Sequence, residues 1–316
     1  MTRALDRLSG VDQLSDVLRA LLAQTGFALA PAGRDRWAPY VFETADALGW
    51  HVGRPVAQAT AAVECTVAAI DVVDDLIDDE WDDPRISRSR ATNASLALAF
   101  VAQWCALDLV TTIADGRVQT IQTLLNSGAI SSCAGQDVDL LLESAPDVDP
   151  EAALHATIRK SGSLGAMACQ VGAAICADDP LLLQLIGIYG RHLGTCAQLL
   201  NDPAGVDIAQ VATAKSDLRR RKKTVPIAYL LECARRDHIS WVLDWYAAPP
   251  GSMPEDELRV ATLVHDLGGL QYTWVLADSY HREARIALDT LVQHTKRPEV
   301  DRLKRLLPSV RARSRV

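Results

Sequence analysis

Apolar residues recur at three- and four-residue spacing through most of the chain, as at Leu14, Leu18, Leu21 and Leu22 and again at Leu181, Leu185 and Ile188, while strict alternation is nearly absent. That period lines one face of an α-helix with apolar side chains, so the chain is expected to be all-α. Helix-breaking groups fall at residues 31–33, 83–84, 127–128, 146–150, 179–180, 203–205, 249–254 and 268–269. They predict helices of roughly 12 to 28 residues. Segments 94–107 and 164–177 are apolar almost all round, as central helices of a bundle are. With no long linker, low-complexity tract or tandem repeat, the expected architecture is one domain over residues 1–316, about ten or more helices round a central cavity.

Composition narrows the function classes. The 316 residues carry 32 Lys plus Arg against 40 Asp plus Glu, a net charge of -8, so no global basic field favours nucleic acid. The longest apolar stretch, 96–107, is interrupted by Gln103 and falls short of the roughly 20 residues of a spanning helix, so no transmembrane segment is expected. Charges at the N-terminus occupy the place where a signal peptide needs an apolar run, and the protein is expected in the cytoplasm. Seven scattered cysteines without a C-x-x-C pair read as small core residues in a reducing compartment. The basic residues from Arg302 onward predict a solvated tail over about 305–316.

The sharpest local signal runs from Asp71 to Glu80, with Asp71, Asp74, Asp75 and Asp78 interleaved with Val72, Val73, Leu76 and Ile77. On a helix Asp71, Asp74 and Asp78 share one stripe, where like charges repel and partial burial limits screening. A hard cation answers that repulsion, and Mg²⁺ commonly joins a few carboxylates to substrate phosphates. Further on, Gln198, Asn201 and Asp202 fall at i, i+3 and i+4 before Pro203, which should bend or end the helix. Taken alone that segment also reads as a polar helix end. Three of the six lysines, Lys215, Lys222 and Lys223, fall within nine residues, a block suited to diphosphate oxygens. Lys160, entering a very apolar helix, is a further phosphate ligand or a side chain that snorkels from the helix end.

In this order the motifs resemble the trans-isoprenyl diphosphate synthase (polyprenyl synthetase) family of all-α class I isoprenoid synthases. Asp74-Asp75-Leu76-Ile77-Asp78 resembles its first DDxxD motif, and Gly135-Gln136-Asp137-Val138-Asp139-Leu140 its GQxxDL helix. Lys160-Ser161 sits at its Lys-Thr, Gln198 to Asp202 at the approach to its second acidic motif, and Ser216-Asp217-Leu218 through Lys223-Thr224-Val225-Pro226 at its SDLxxxKKTLP segment. Arg88 and Thr92 correspond to RGxPT. The resemblance covers most of the chain. It implies an allylic prenyl diphosphate substrate and three Mg²⁺ ions held by Asp74, Asp75, Asp78, Asn201 and Asp202. Arg88, Lys160, Lys215, Lys222 and Lys223 would bind the diphosphate, and Ala69, Ile70, Gln136, Asp139 and Gln198 would line the pocket. Asp74, Asp75, Asp78 and Lys160 would be catalytic, in a homodimer.

The departures shape the expected reaction. The family's GGKR-type segment resembles Gly33 to Ala38 here, with Asp35 for the lysine and Ala38 for an arginine, and the His upstream of DDxxD is replaced by Val67. Each change weakens a diphosphate contact by about 1–3 kcal/mol. The second motif reads Asn201-Asp202-Pro203-Ala204-Gly205, and Gly205 cannot ligate; Asp207 or Gln198 would have to substitute. The leading expectation is therefore ionisation of farnesyl or geranylgeranyl diphosphate, favoured by the small Ala69 and Ile70, followed by cyclisation or capture by water. Prenyl transfer to isopentenyl diphosphate or another acceptor is the alternative, and a non-catalytic modulating subunit the third. Trp37, Trp81, Trp104 and Tyr189 are the rings available to a carbocation.

Overall fold

The computed structural model describes residues 5, 12–23, 37–51, 53–208 and 217–310. Gly33, Arg34, Asp35, Arg36, Lys215, Ser216 and the last six residues lie outside them. The described chain is helical without strands: α1 (Asp12–Leu22), α2 (Ala38–Ala47), α3 (Arg54–Ile77), α4 (Arg88–Leu107), α5 (Asp115–Ser144), α6 (Pro150–Thr157) and α7 (Ser163–Cys176) come first. Then follow α8 (Pro180–Gly205), α9 (Asp217–Arg220), α10 (Val225–Arg236), α11 (Ser240–Ala247), α12 (Glu257–Asp266) and α13 (Gly269–Thr295). A π-helical turn, Ile158–Gly162, joins α6 to α7, and a 3₁₀ segment, Pro298–Leu306, follows α13.

Local chemistry sets the helix ends. Ser87 accepts the Arg90 N–H and Asp149 the Ala152 N–H, capping α4 and α6. Prolines stand in the first turns of α2, α3, α6 and α10, where a missing N–H costs nothing. The fully buried Glu64 on α3 accepts the Ala38 N–H at 2.7 Å and serves the start of α2 in place of a local cap. Two expected breaks move. The pair Ser127-Gly128 lies inside α5, because one glycine costs about 1 kcal/mol and burial of Ile121 and Leu125 on the same helix returns more. Pro203 sits within the last turn of α8, which ends two residues later at Gly205.

The chain divides into two compact units. Unit 1 comprises Met1–Ser131, Ser163–Arg191 and Ala284–Leu307. Within it α3 packs on α4 and α7, and α2 on α7 and the 3₁₀ segment, round a core that includes Val63, Val67, Leu98, Ile121, Met167 and Ile175. Tyr189 donates its hydroxyl hydrogen to Leu303 O at 2.7 Å, and with Val300 and Leu303 buried the start of the basic C-terminal end is docked. Unit 2 comprises Ser132–Gly162, His192–Glu283 and Pro308–Val316. There α10 packs on α6, α11 and α12, with one core round Trp245, Leu231 and Val264 and another round Leu199, Ala228 and Ala277.

Hydropathy alone misjudged one helix. α7 is buried along its length, as expected of a central helix, whereas α4 presents Leu96 and Phe100 at 60% and 68% exposure, with Trp104 and Leu107 also exposed. An outer helix with a second apolar face gives the same sequence pattern as a central one. Helices Arg54–Ile77 and Arg88–Thr111 are long and apolar enough to cross a membrane by composition, and 72% and 44% of their apolar windows are buried inside the fold. The segment 96–107 was too narrow a window to show this.

Candidate functional site

In unit 1 the first acidic motif forms the C-terminal end of α3. Asp78 is the C-cap residue, and Asp79 takes the left-handed conformation at φ 56°, which aspartate tolerates better than most residues. Glu80 N–H then reaches back to Asp75 O at 2.7 Å, closing the helix as a Schellman-type end. Asp71, Asp74 and Asp75 are half-buried and Asp78 is buried. Four carboxylates thus crowd the helix end where the macrodipole is negative, which favours a bound cation. Arg88 donates to Asp79 Oδ1 at 2.6 Å and to Leu76 O, so its guanidinium is occupied as a clamp on that helix end. Val67 is in the core with no exposure. Ala69 is buried, its carbonyl accepting the Ser95 hydroxyl at 2.7 Å, and Ile70 is half-buried against the core.

Unit 2 gathers most of the remaining sequence candidates round one cavity of about 70 Å³. Its lining includes Asp139 from α5, Thr157 from α6, Lys160 and Ser161 from the π turn, Gln198 and Asp202 from α8, and Lys222 and Thr224 from the segment after α9. The π turn is closely packed against α5. A Cβ on Gly135 would lie 2.8 Å from Lys160 Cα and 2.7 Å from Arg159 C, so glycine there allows α5 to approach the turn that carries Lys160. π turns interrupt helices chiefly at functional positions.

Asp202 is a buried carboxylate in this cavity. It is 5% exposed, and burial pushes its carboxyl up to about 7, with the negative charges of Asp217 and Asp139 adding to the shift. Donation from Gln198 Nε2 at 2.9 Å and the charge of Lys160 pull the other way. Its Oδ2 has no hydrogen-bond partner. Gln198 Oε1 accepts from the Ser161 hydroxyl at 3.1 Å, which fixes the amide so that its NH₂ faces Asp202.

The segment 221–224 alternates between anchoring and presenting. Arg221, in the left-handed region at φ 60°, is 3% exposed. Its guanidinium stacks 3.0 Å from the Trp245 ring centroid and donates to Ser252 O at 2.6 Å and Leu218 O at 3.2 Å. Lys222 then lines the cavity, Lys223 turns away, and Thr224 lines it again. Lys223 Nζ donates to Glu143 O at 3.1 Å and to Ala145 O, capping the end of α5 with a cation. Of the lysine pair only Lys222 thus lines the cavity, and Lys223 caps α5. Burial lowers the pKa of Lys223.

Other candidates lie elsewhere. Asn201 is exposed and outside the cavity lining. Gln136 is buried with neither amide atom partnered, and Lys215 is outside the described residues. The four rings have structural partners or exposure: Tyr189 bonds Leu303 O, Trp81 donates to Ile86 O at 2.7 Å, Trp37 packs edge-on to Tyr40, and Trp104 is exposed. Among the described residues no three His, Cys, Asp or Glu side chains stand together as a complete metal site. Thr157 and Thr224 joined the cavity without having been singled out; the motif Lys222-Lys223-Thr224 held the signal for the second.

The model of the polyprenyl synthetase family matches residues 29–264. Geranylgeranyl diphosphate synthase of Mycobacterium tuberculosis is 26% identical over 279 residues, 86% of this chain and 79% of that protein. Geranylfarnesyl diphosphate synthase of Aeropyrum pernix is 30% identical over 165 residues, 51% of this chain and 50% of that protein. Among solved structures, a geranylgeranyl pyrophosphate synthetase from Geoglobus acetivorans superposes with a TM-score of 0.75 at 20% identity, covering 96% of this chain and 92% of the other. A polyprenyl synthetase from Streptomyces coelicolor gives 0.70 at 23% identity, covering 97% and 99%.

Proposed function

The chain belongs to the polyprenyl synthetase family, and from that premise we propose that it is a prenyltransferase of the isoprenyl diphosphate synthase type, joining an allylic prenyl diphosphate to isopentenyl diphosphate or another acceptor. The observation that carries this reading is the unit 2 cavity, where Lys160 and Lys222 share a lining with the buried Asp202 and its unpartnered oxygen. The relatives named as prenyl diphosphate synthases support chain elongation over the cyclisation favoured by the departures alone.

Magnesium suits the donors. All are hard oxygens: Asp74, Asp75 and Asp78 at the end of α3, and Asp202 with the exposed Asn201 on α8. Bound, Mg²⁺ would neutralise charge on the departing diphosphate. The chain's own contribution is orientation. Lys160 and Lys222 bring positive charge to phosphate oxygens, with the Thr224 and Ser161 hydroxyls beside them. Both cations line the cavity from fixed backbone, the π turn and the segment after α9, so the charge that meets the leaving group is set in place by the fold.

One observation keeps a second reading: Val67 is sealed in the core of unit 1 and offers no donor to an isopentenyl diphosphate. Cyclisation or capture by water would need none. Incubation with Mg²⁺ and geranyl, farnesyl or geranylgeranyl diphosphate, with and without isopentenyl diphosphate, separates the two. Longer diphosphates formed only with isopentenyl diphosphate support elongation, whereas a hydrocarbon or alcohol formed without it would replace that reading. Silence of the wild type with all three substrates would favour a modulating subunit.

A homodimer is part of the proposal. Its support is the exposed stripe of Leu96, Phe100 and Trp104 on α4, with Ile130 exposed on α5; the Gln103 amide donates to Asn126 Oδ1 at 2.8 Å and ties these two helices together. No charged residue occurs in 94–107 or 118–136. An uncharged apolar face matches a second copy of itself, since charge depletion marks the centre of an interface.

A further inference from the structure

We infer that Asp217 supplies the carboxylate that the second acidic motif lacks at position 205. This rests on the diphosphate reading above and extends it to a residue outside that acidic motif, in the segment that resembles SDLxxxKKTLP. The segment Asn201-Asp202-Pro203-Ala204-Gly205 ends in glycine, yet the space a side chain there would take is filled. A Cβ built on Gly205 would overlap the Asp217 carboxylate, lying 2.8 Å from Oδ1 and closer still to Oδ2. The acidic group at this place therefore comes from the start of α9, and Gly205 is what admits it.

Two further observations set this carboxylate beside the cavity. Asp217 Oδ2 accepts from the hydroxyl of Thr224, which lines the cavity, at 3.3 Å. Independently, Asp202, which lines the same cavity and is 5% exposed, has an oxygen with no hydrogen-bond partner. Two mutually repelling carboxylates, one with an unsatisfied oxygen, beside two phosphate-binding lysines form a donor set for a divalent cation carrying diphosphate. The backbone carbonyl of Asp217 accepts the Lys222 N–H at 3.0 Å, so the residue also fixes where Lys222 begins.

The test is calorimetric titration of the full chain with inorganic diphosphate, with and without Mg²⁺. Asp217→Asn keeps the hydrogen bond to Thr224 but removes the charge, so a purely structural role would leave the magnesium dependence intact. It is expected to weaken magnesium-dependent diphosphate binding by about tenfold or more and to tighten any magnesium-free binding, because a carboxylate without its cation repels the anion. The exchange variant Gly205→Asp/Asp217→Ala returns the carboxylate to its motif position and should restore affinity to within a few-fold of wild type. Magnesium-dependent binding by Asp217→Asn equal to wild type, with Asp202→Asn impaired, would overturn the inference and leave the diphosphate reading standing. Failure of the wild type to bind diphosphate with Mg²⁺ would remove both.

Discussion

Asp202→Asn isolates the cost of holding a carboxylate in a buried site. Its pKa is raised from an ordinary 3.8 to about 7, mainly by burial. A carboxyl whose pKa is raised on folding binds more protons in the native than in the unfolded state between those two values. Its contribution to stability is therefore fully present below about pH 4, declines as pH rises, and is gone above about pH 7. Three pH units at 1.36 kcal/mol each correspond to about 4 kcal/mol, of which relaxation of the cavity should leave on the order of 2–3 kcal/mol. Asparagine is neutral at every pH and still accepts from Gln198. Thermal denaturation of the chelated protein from pH 5 to pH 8 should thus show wild type losing stability relative to the variant, with the variant melting roughly 3–5 °C higher at pH 8. Adding Mg²⁺ with diphosphate should reverse the order, because only wild type gains the ligand's binding energy. Parallel curves for the two proteins between pH 5 and 8 would refute the argument, since they would mean that Asp202 is ionised without cost.

The neighbouring side chains give contrasting outcomes. Lys222→Ala should weaken diphosphate binding about tenfold with little change in stability, whereas Lys223→Ala should leave that affinity within about twofold and cost about 1–2 kcal/mol through loss of the α5 cap; calorimetry and chemical denaturation on both variants check the pair. Arg221→Ala removes the stack on Trp245 and the bonds to Ser252 O and Leu218 O, and should cost about 3 kcal/mol in denaturation midpoint while raising KM more than it lowers kcat. Gly135→Ala pushes α5 away from the Lys160 turn, and kcat should fall with a stability loss of about 1–3 kcal/mol; an unchanged enzyme would show that the close approach does not matter. Phe100→Glu should convert the proposed dimer to monomer by light scattering, and a wild type that is monomeric at micromolar concentration would remove the interface altogether.

The sequence by itself determined the helical class, because a 3.6-residue apolar period survives in any register and needs no partner to be read. It also marked the chemistry: carboxylates at one-turn spacing in Asp71 to Asp78, lysines concentrated at 215–223, and a buried-looking Lys160 are statements of charge that local pattern carries. Tertiary structure decided which of those groups are available. Lys222 and Lys223 are indistinguishable as residues, yet one lines a cavity and the other caps α5, because the anchor of Arg221 on Trp245 sets the direction of the strand of chain between them. Arg88 reads as a phosphate ligand until the fold gives it Leu76 O and Asp79. Helix α4 reads as central until its neighbours leave one apolar face uncovered. Most of all, Gly205 reads as a missing ligand, while the fold brings the Asp217 carboxylate to its side; contacts between residues distant in sequence arise from packing, and no local periodicity encodes them.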